Sequence, residues 1–262
     1  MDLTIIKIGG SVITRKESLL PKLNLKNLKI VANQLKNFKR PYILIHGAGS
    51  FGHQIVKRTG IDKGIKNKSQ LVAFAETQRL QNKLNYLVCE ELIKEGIPAF
   101  PCQPSSHAIL NNGRLVRMET QAIAEMVKIG LVPVCYGVPA CDKSRGCAIL
   151  SGDQIAPYLA VKLGAKKIIE AGDVEGIFTG DPKKNKKAGI IREIDKNNFK
   201  EIEKFLSGSQ AADVTGGMKQ KYLELVDVSK KDITAQIVHF ESLSKALRGE
   251  PVGTIIDLKR KK

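Results

Sequence analysis

The sequence predicts an α/β protein, a three-layer αβα sandwich around a mostly parallel open sheet. Three observations predict it. Short apolar runs alternate along the chain with longer amphipathic stretches, the pattern of β–α units whose helices cover both faces of a parallel sheet. The first apolar runs end directly in glycine-rich turns, where a parallel strand hands over to a helix. The chain of 262 residues holds no internal repeat and no low-complexity linker, so residues 1–262 read as one domain.

In order, residues 3–8 (Leu-Thr-Ile-Ile-Lys-Ile) form the first strand, which stops at Gly9-Gly10. Residues 25–35 repeat apolar side chains at helical spacing, and residues 42–45 are a second strand running into a glycine-rich turn. A long helix is expected over residues 70–93. Residues 132–136 and 167–169 are further buried strands, with a helix over 153–163 between them. A helix over 219–228 then leads into a strand at 235–238. Residues 181–188 form the loop richest in helix and strand breakers, but it does not divide the chain into independent domains.

Composition removes several classes of function. A content of 42% hydrophobic and 26% charged residues excludes a disordered or fibrous chain. No apolar run approaches the ~18 residues of a membrane span, and the start, Met1-Asp2-Leu3-Thr4, lacks the pattern of a signal peptide. Five cysteines without a Cys-x-x-Cys pair point to reduced thiols in the cytoplasm and away from a cysteine-ligated zinc site. The net charge of +17 comes from 43 basic against 26 acidic residues. Lysines cluster at 183–187 and 259–262, but tryptophan is absent and no aromatic residues interleave with them. That favours solvated lysine faces over a nucleic-acid groove.

Glycines concentrate at four places: Gly9-Gly10-Ser11, residues 47–52, Ser151-Gly152-Asp153 and Thr215-Gly216-Gly217. Each follows a strand or precedes a helix, where free N–H groups can meet a phosphate and a Cβ would obstruct it. Residues 46–53 contain a literal Gly-x-Gly-x-x-Gly. A dinucleotide fingerprint also needs an acidic residue ~20 positions later, at the end of a following strand; Asp62 lies in a basic stretch, and the next element is the long helix. The Walker phosphate loop is absent.

Among the polar residues, Lys7 is the single charge in an apolar strand. It requires a buried partner or an anion, or else it snorkels from the strand end; the adjacent Gly9-Gly10-Ser11 favours an anion. His53 follows a turn of free N–H donors and is a candidate anion contact, whereas His107 and His239 read as structural and His46 as a turn-former. Asp173, closing a strand, would orient the lysines, hold a magnesium ion, or serve only as a turn or cap aspartate. Lys219 and Lys221 follow a Gly-Gly helix start.

Together, Lys7-Ile8-Gly9-Gly10-Ser11, residues 46–53, Ser151-Gly152-Asp153, residues 173–182 and residues 213–221 resemble the amino acid kinase superfamily, in order and across nearly the whole chain. Within it, the segment ending in His53, Lys16 and Asp213-Val214-Thr215-Gly216-Gly217-Met218 are similar to the isopentenyl phosphate kinases. The resemblance implies ATP-dependent phosphorylation of isopentenyl phosphate to isopentenyl diphosphate, in an alternative mevalonate route of isoprenoid biosynthesis. It also implies a homodimer, and Mg2+ carried mainly by the ATP phosphates rather than by dedicated protein ligands. Residues up to about 150 would form the acceptor lobe and residues from about 151 the nucleotide lobe.

The roles implied are these. Lys7 and Lys221 bridge the β- and γ-phosphates, and Lys16 reaches the transferring phosphoryl group from the hairpin after the first strand. Gly9, Gly10 and Gly49 donate backbone N–H bonds, with Ser11, Asp173 and Gly217 on the nucleotide side. His53 holds the acceptor phosphate, flanked by Ala48, Gly49 and Gly152. Ala48 departs from the family, which often has glycine there. Spacing from Met218 favours Lys221 over Lys219. Two phosphorylated ligands repel each other, so several cations converging on glycine turns suit this chemistry. Leu71, Phe74, Ala75, Leu84 and Val88 would line a pocket for the acceptor's apolar tail or form the core face of their helix. Rival readings are a kinase for another small phosphate or phosphonate of the fosfomycin type, a carboxylate kinase, and a non-catalytic basic binding protein.

Overall fold

The computed structural model describes residues 2–15, 18, 20–180, 187–207 and 217–259. In chain order the first strands are β1 (Thr4–Ile8), β2 (Tyr42–His46), β3 (Ala99–Pro101), β4 (Ala108–Asn111), β5 (Arg114–Met118), β6 (Val132–Tyr136) and β7 (Val138–Asp142). There follow β8 (Gly146–Leu150), β9 (Lys167–Gly172), β10 (Ile177–Phe178), β11 (Ile190–Ile191), β12 (Glu193–Ile194), β13 (Thr234–His239) and β14 (Thr254–Ile256). The helices are α1 (Gly10–Ile13), α2 (Leu25–Leu35), α3 (His53–Thr59), α4 (Lys68–Lys94) and α5 (Gln121–Lys128). After them come α6 (Gly152–Leu163), α7 (Phe199–Ser207), α8 (Gly217–Ser229) and α9 (Leu243–Leu247).

Eight strands make the main sheet, in the order β12-β14-β13-β9-β1-β2-β6-β3. All neighbours are parallel except β13 and β14. Alternation along each strand sends successive side chains to opposite faces. Ile5, Ile43, Ile45 and Ile168 therefore pack against Ile155, Leu159, Tyr222 and Leu225 of α6 and α8. Ile6, Ile8, Leu44 and Ile169 pack on the other side against Leu28 and Val31 of α2 and Leu84 and Val88 of α4. These two cores on either face of one sheet are the three layers predicted.

The sequence reading passes straight from β6 to α6. Between them the chain instead folds the β7–β8 hairpin, which joins β4 and β5 in a second sheet of order β5-β4-β7-β8. The β4–β5 hairpin turns at Asn112-Gly113, with φ of 50° and 77°, the backbone that a two-residue hairpin requires. Asp142 fastens it, accepting from the Gly113 N–H at 2.6 Å, the Ser144 hydroxyl at 2.7 Å and the Ser144 N–H at 2.9 Å. Burial pushes the Asp142 carboxyl up, but these bonds outweigh it and bring its pKa down to about 2. No helix among the described residues is long and apolar enough to cross a membrane. Most of the expected breaker-rich loop at 181–188 lies outside the described residues.

Candidate active site

In a parallel sheet the carboxyl ends of the strands and the adjoining helix starts form the ligand site. Here a cleft of about 780 Å³ opens at that end. Lys7, Gly9, Gly10 and Ser11 line it after β1; Ala48, Gly49 and His53 after β2; Gly152 at the start of α6. Asp173 follows β9, and Gly217 and Lys221 enter from α8. The structure thus brings every described candidate residue into one cavity. Lys16 lies outside the described residues. Lys219 is exposed and stands away from the cleft, which leaves Lys221 as the inward lysine of α8.

The lysines do not snorkel. Lys7 is 6% exposed, and its Nζ donates to Asp153 Oδ1 and, at 3.3 Å, to Glu170 Oε2. Lys221 Nζ donates to the same two oxygens, at 2.8 Å to Asp153 Oδ1 and also to Glu170 Oε2. Two ammoniums and two carboxylates form a largely buried, neutral quartet, the condition under which buried charge is tolerated. Burial would raise the Asp153 carboxyl, but Lys221 and Lys7 outweigh it and hold that group well below the usual range. Burial would likewise depress Lys221, but Asp153 and Glu170 hold its ammonium well above the usual range. Each ammonium has three N–H donors and uses two on the carboxylates, so one on each remains for a phosphate. Asp153 and Glu170 were absent from the candidate set. Asp173, one of the expected lysine-orienting groups, lies on the cleft wall while these two do the orienting.

The glycine turns carry a duty beyond clearing room for a ligand. A Cβ on Gly10 would stand 2.4 Å from Gly49 N, and one on Gly47 2.5 Å from Gly10 N. The turns after β1 and β2 therefore pack backbone against backbone. Gly49 adopts φ +50°, and a Cβ there would meet Thr14 Oγ1 at 2.0 Å. Thr14 Oγ1 is held in place: it donates to the Gly10 carbonyl at 2.7 Å and accepts from the Ser50 N–H at 3.0 Å. Gly9 is corrected as a backbone donor, because its N–H is taken by the Ala171 carbonyl at 2.8 Å; this bond ties the turn to β9. Gly152 makes room for a side chain, since its Cβ would lie 3.2 Å from Lys7 Cε.

His46, expected as a turn-former, is instead a buried structural histidine stacked on Tyr136 with ring centroids 5.4 Å apart. Asn85 Nδ2 donates to its Nε2 at 3.1 Å, so its Nδ1–H donates to the Gly47 carbonyl at 3.0 Å. Burial lowers its pKa to about 4 and keeps the ring neutral.

Beyond His53 the cleft turns apolar, with Val56, Val138, Pro139 and Ile149 on its wall. None of the five residues expected around an acceptor tail lines it. Leu84 and Val88 belong to the core, Leu71 is 53% exposed and Ala75 is exposed. Phe74 packs with Val56 and Ile149, one layer behind the wall. From α4 the cavity receives Thr77 and Gln81 instead. Among the described residues, no group of three or more His, Cys, Asp or Glu side chains is placed to hold a metal ion.

The profile of the amino acid kinase family matches residues 2–239, and the chain belongs to that family. Two relatives extend the likeness over the full length. The isopentenyl phosphate kinase of Methanothermobacter thermautotrophicus is 36% identical over 258 residues, 95% of this chain and 96% of that one. The isopentenyl phosphate kinase of Methanocaldococcus jannaschii is 38% identical over 271 aligned positions, covering 97% and 98%. A crystal structure of an isopentenyl phosphate kinase superposes with a TM-score of 0.84 at 33% identity, covering 97% of this chain and 99% of the other.

Proposed function

We propose that this chain transfers the γ-phosphoryl group of ATP to the phosphate of isopentenyl phosphate, forming isopentenyl diphosphate and ADP, a step of isoprenoid biosynthesis. One observation carries the reading: a lysine pair, Lys7 buried and Lys221 partly so, shares one cleft with a glycine turn, His53 and an apolar wall. The cations suit the polyphosphate, the turn and His53 the acceptor phosphate, and Val56, Val138 and Ile149 its hydrocarbon. Relatives named for this activity match over nearly their full length.

An oxygen of the acceptor phosphate attacks the γ-phosphorus, and the bond from that phosphorus to the β–γ bridging oxygen breaks, leaving ADP. The nucleophile is already anionic, so no strong base is needed, and catalysis rests on alignment and charge stabilisation. Lys7 and Lys221 point their remaining donors at the β- and γ-phosphates, and Lys16 takes the transferring group. Gly10 and Gly49 donate N–H bonds, while Ala48, Gly152 and His53 enclose the acceptor phosphate. Ser11, Asp173 and Gly217 border the nucleotide. ATP is taken as its magnesium complex with the metal on the phosphates. Both oxygens that Asp153 and Glu170 turn toward the lysines are already engaged, which fits that arrangement.

Residues 1 to about 150 act as the acceptor lobe and those from about 151 as the nucleotide lobe. The enzyme works as a homodimer, for which Tyr86 and Ile93 of α4 and Phe100 of edge strand β3 offer exposed apolar surface. Its five free cysteines suit the reducing cytoplasm. The test is a coupled ADP-release assay with isopentenyl phosphate, dimethylallyl phosphate, fosfomycin and N-acetylglutamate. The highest kcat/KM is expected for isopentenyl phosphate; preferential turnover of fosfomycin or the carboxylate would overturn the assignment.

A further inference from the structure

Three polar side chains, Thr77, Gln81 and Asn85, stand four residues apart on one face of α4, and all are buried. Two of them are paired. Thr77 Oγ1 donates to the Ala73 carbonyl at 2.7 Å, and Asn85 Nδ2 bonds His46 and the Val134 carbonyl. Gln81 differs. It is 0% exposed, and neither its Nε2 nor its Oε1 has a hydrogen-bond partner among the described residues. It nevertheless lines the cleft. A buried amide without partners is costly, and the group that repairs it has to come from the cavity.

The surroundings say which group. A Cβ on Gly52 would lie 2.6 Å from Gln81 Nε2 and 3.1 Å from Ala48 Cβ. Gly52 has an ordinary φ of −130°, so no left-handed backbone demands glycine there; the missing side chain admits the amide. Gln81 thus stands beside Gly52 and Ala48 at the end of the glycine turn, in the cleft whose wall also carries Val56, Val138 and Ile149. A phosphate monoester laid along this path puts its phosphorus at the turn and its hydrocarbon on the wall. The atom at the junction is the ester oxygen.

We infer that Gln81 is a specificity-determining residue whose Nε2–H donates to the ester oxygen of the acceptor, so that the site distinguishes phosphate monoesters from phosphonates of the same shape. The inference rests on the acceptor assignment above and deepens it. A neutral amide is the fitting group at this point: a carboxylate would repel the phosphate, and a methionine side chain would fill the space without donating.

The experiment is a double-mutant cycle between protein and ligand, read as calorimetric Kd in the presence of a non-hydrolysable ATP analogue. The ligands are isopentenyl phosphate and 4-methylpent-4-enylphosphonate, in which CH2 replaces the ester oxygen; the proteins are wild type and Gln81→Met. Wild type is expected to prefer the phosphate by roughly tenfold, the worth of one such bond. Gln81→Met is expected to lose roughly tenfold on the phosphate and almost nothing on the phosphonate, with affinity for the ATP analogue unchanged. Gln81→Glu, of the same shape, is expected to weaken both ligands. Equal losses on both ligands with Gln81→Met would make the residue merely structural and overturn the inference, while wild-type turnover of isopentenyl phosphate would still stand. Absence of that turnover removes the acceptor assignment and this inference together.

Discussion

The two walls of the cleft are built on opposite principles. One wall is made of charge: Lys7, Lys221, Asp153 and Glu170 neutralise one another in a largely buried quartet. The other wall is made of backbone, with Gly10, Gly47 and Gly49 pressed together and Thr14 and Ser50 pinning them. The first wall aims side-chain donors whose loss removes electrostatic stabilisation. The second fixes a shape that no side chain can enter. Changes on the charged wall should therefore appear first in rate, and changes on the backbone wall first in stability.

The largest effect is expected on the charged wall. Lys221→Ala leaves Lys7 alone against Asp153 and Glu170, an unbalanced cluster that also costs stability, and it removes one preorganised donor facing the cleft. Loss of such a donor costs about 10²–10³ in rate. Steady-state kcat should fall by that factor, and near-normal turnover would contradict the division between walls. Gly49→Ala is the matching change on the other wall. Its Cβ would strike Thr14 from a backbone of φ +50°, and overpacking with backbone strain amounts to about 2–3 kcal/mol. Urea denaturation should report that loss, against a near-neutral Gly189→Ala, which meets nothing within 4 Å. Equal midpoints for the two variants would refute the close-packed turn.

His53 lines the same cleft, and the proposed function gives it the acceptor phosphate. His53→Ala should weaken acceptor binding by about 10- to 100-fold, the range of a charge-assisted hydrogen bond. ATP affinity should stay nearly intact. Calorimetry that finds ATP binding abolished would mean the walls are not separate.

The same contrast explains what the sequence disclosed. The strands β1, β2, β6, β9 and β13 are buried on both faces, so they read as continuous apolar runs. The small sheet did not, because β5 carries Arg114 and Arg117 beside Leu115, Val116 and Met118 and lies largely exposed. Asn112-Gly113, flanked by Leu110 and Leu115, was the hairpin signal that could have revealed it. At the site, Lys7 was conspicuous as a charge inside an apolar strand. Glu170 is the same anomaly in β9, and the two are register partners. Their pairing spans 163 residues and depends on β1 lying beside β9, which no local pattern encodes. Gln81 was equally silent, since burial of a polar residue on a long amphipathic helix is decided by what packs over it.

Acid should separate the walls at the smallest cost. His46 lies beneath the backbone wall, its Nδ1–H on the Gly47 carbonyl, and its pKa is lowered from 6.5 to about 4. The unfolded chain therefore binds more protons between those values. The stability tied to neutral His46 is fully present above pH 6.5 and is lost as pH falls toward 4, on the order of 1 kcal/mol by pH 5.5. Asp153 is held well below and Lys221 well above their usual ranges, so neither titrates in this window. Burial also lowers the pKa of His107, so stability curves measured from pH 7 to pH 5 should slope downward in the wild type and less steeply in His46→Gln. Parallel curves would show that the ring is not the group responsible, and that the backbone wall does not rest on a neutral histidine.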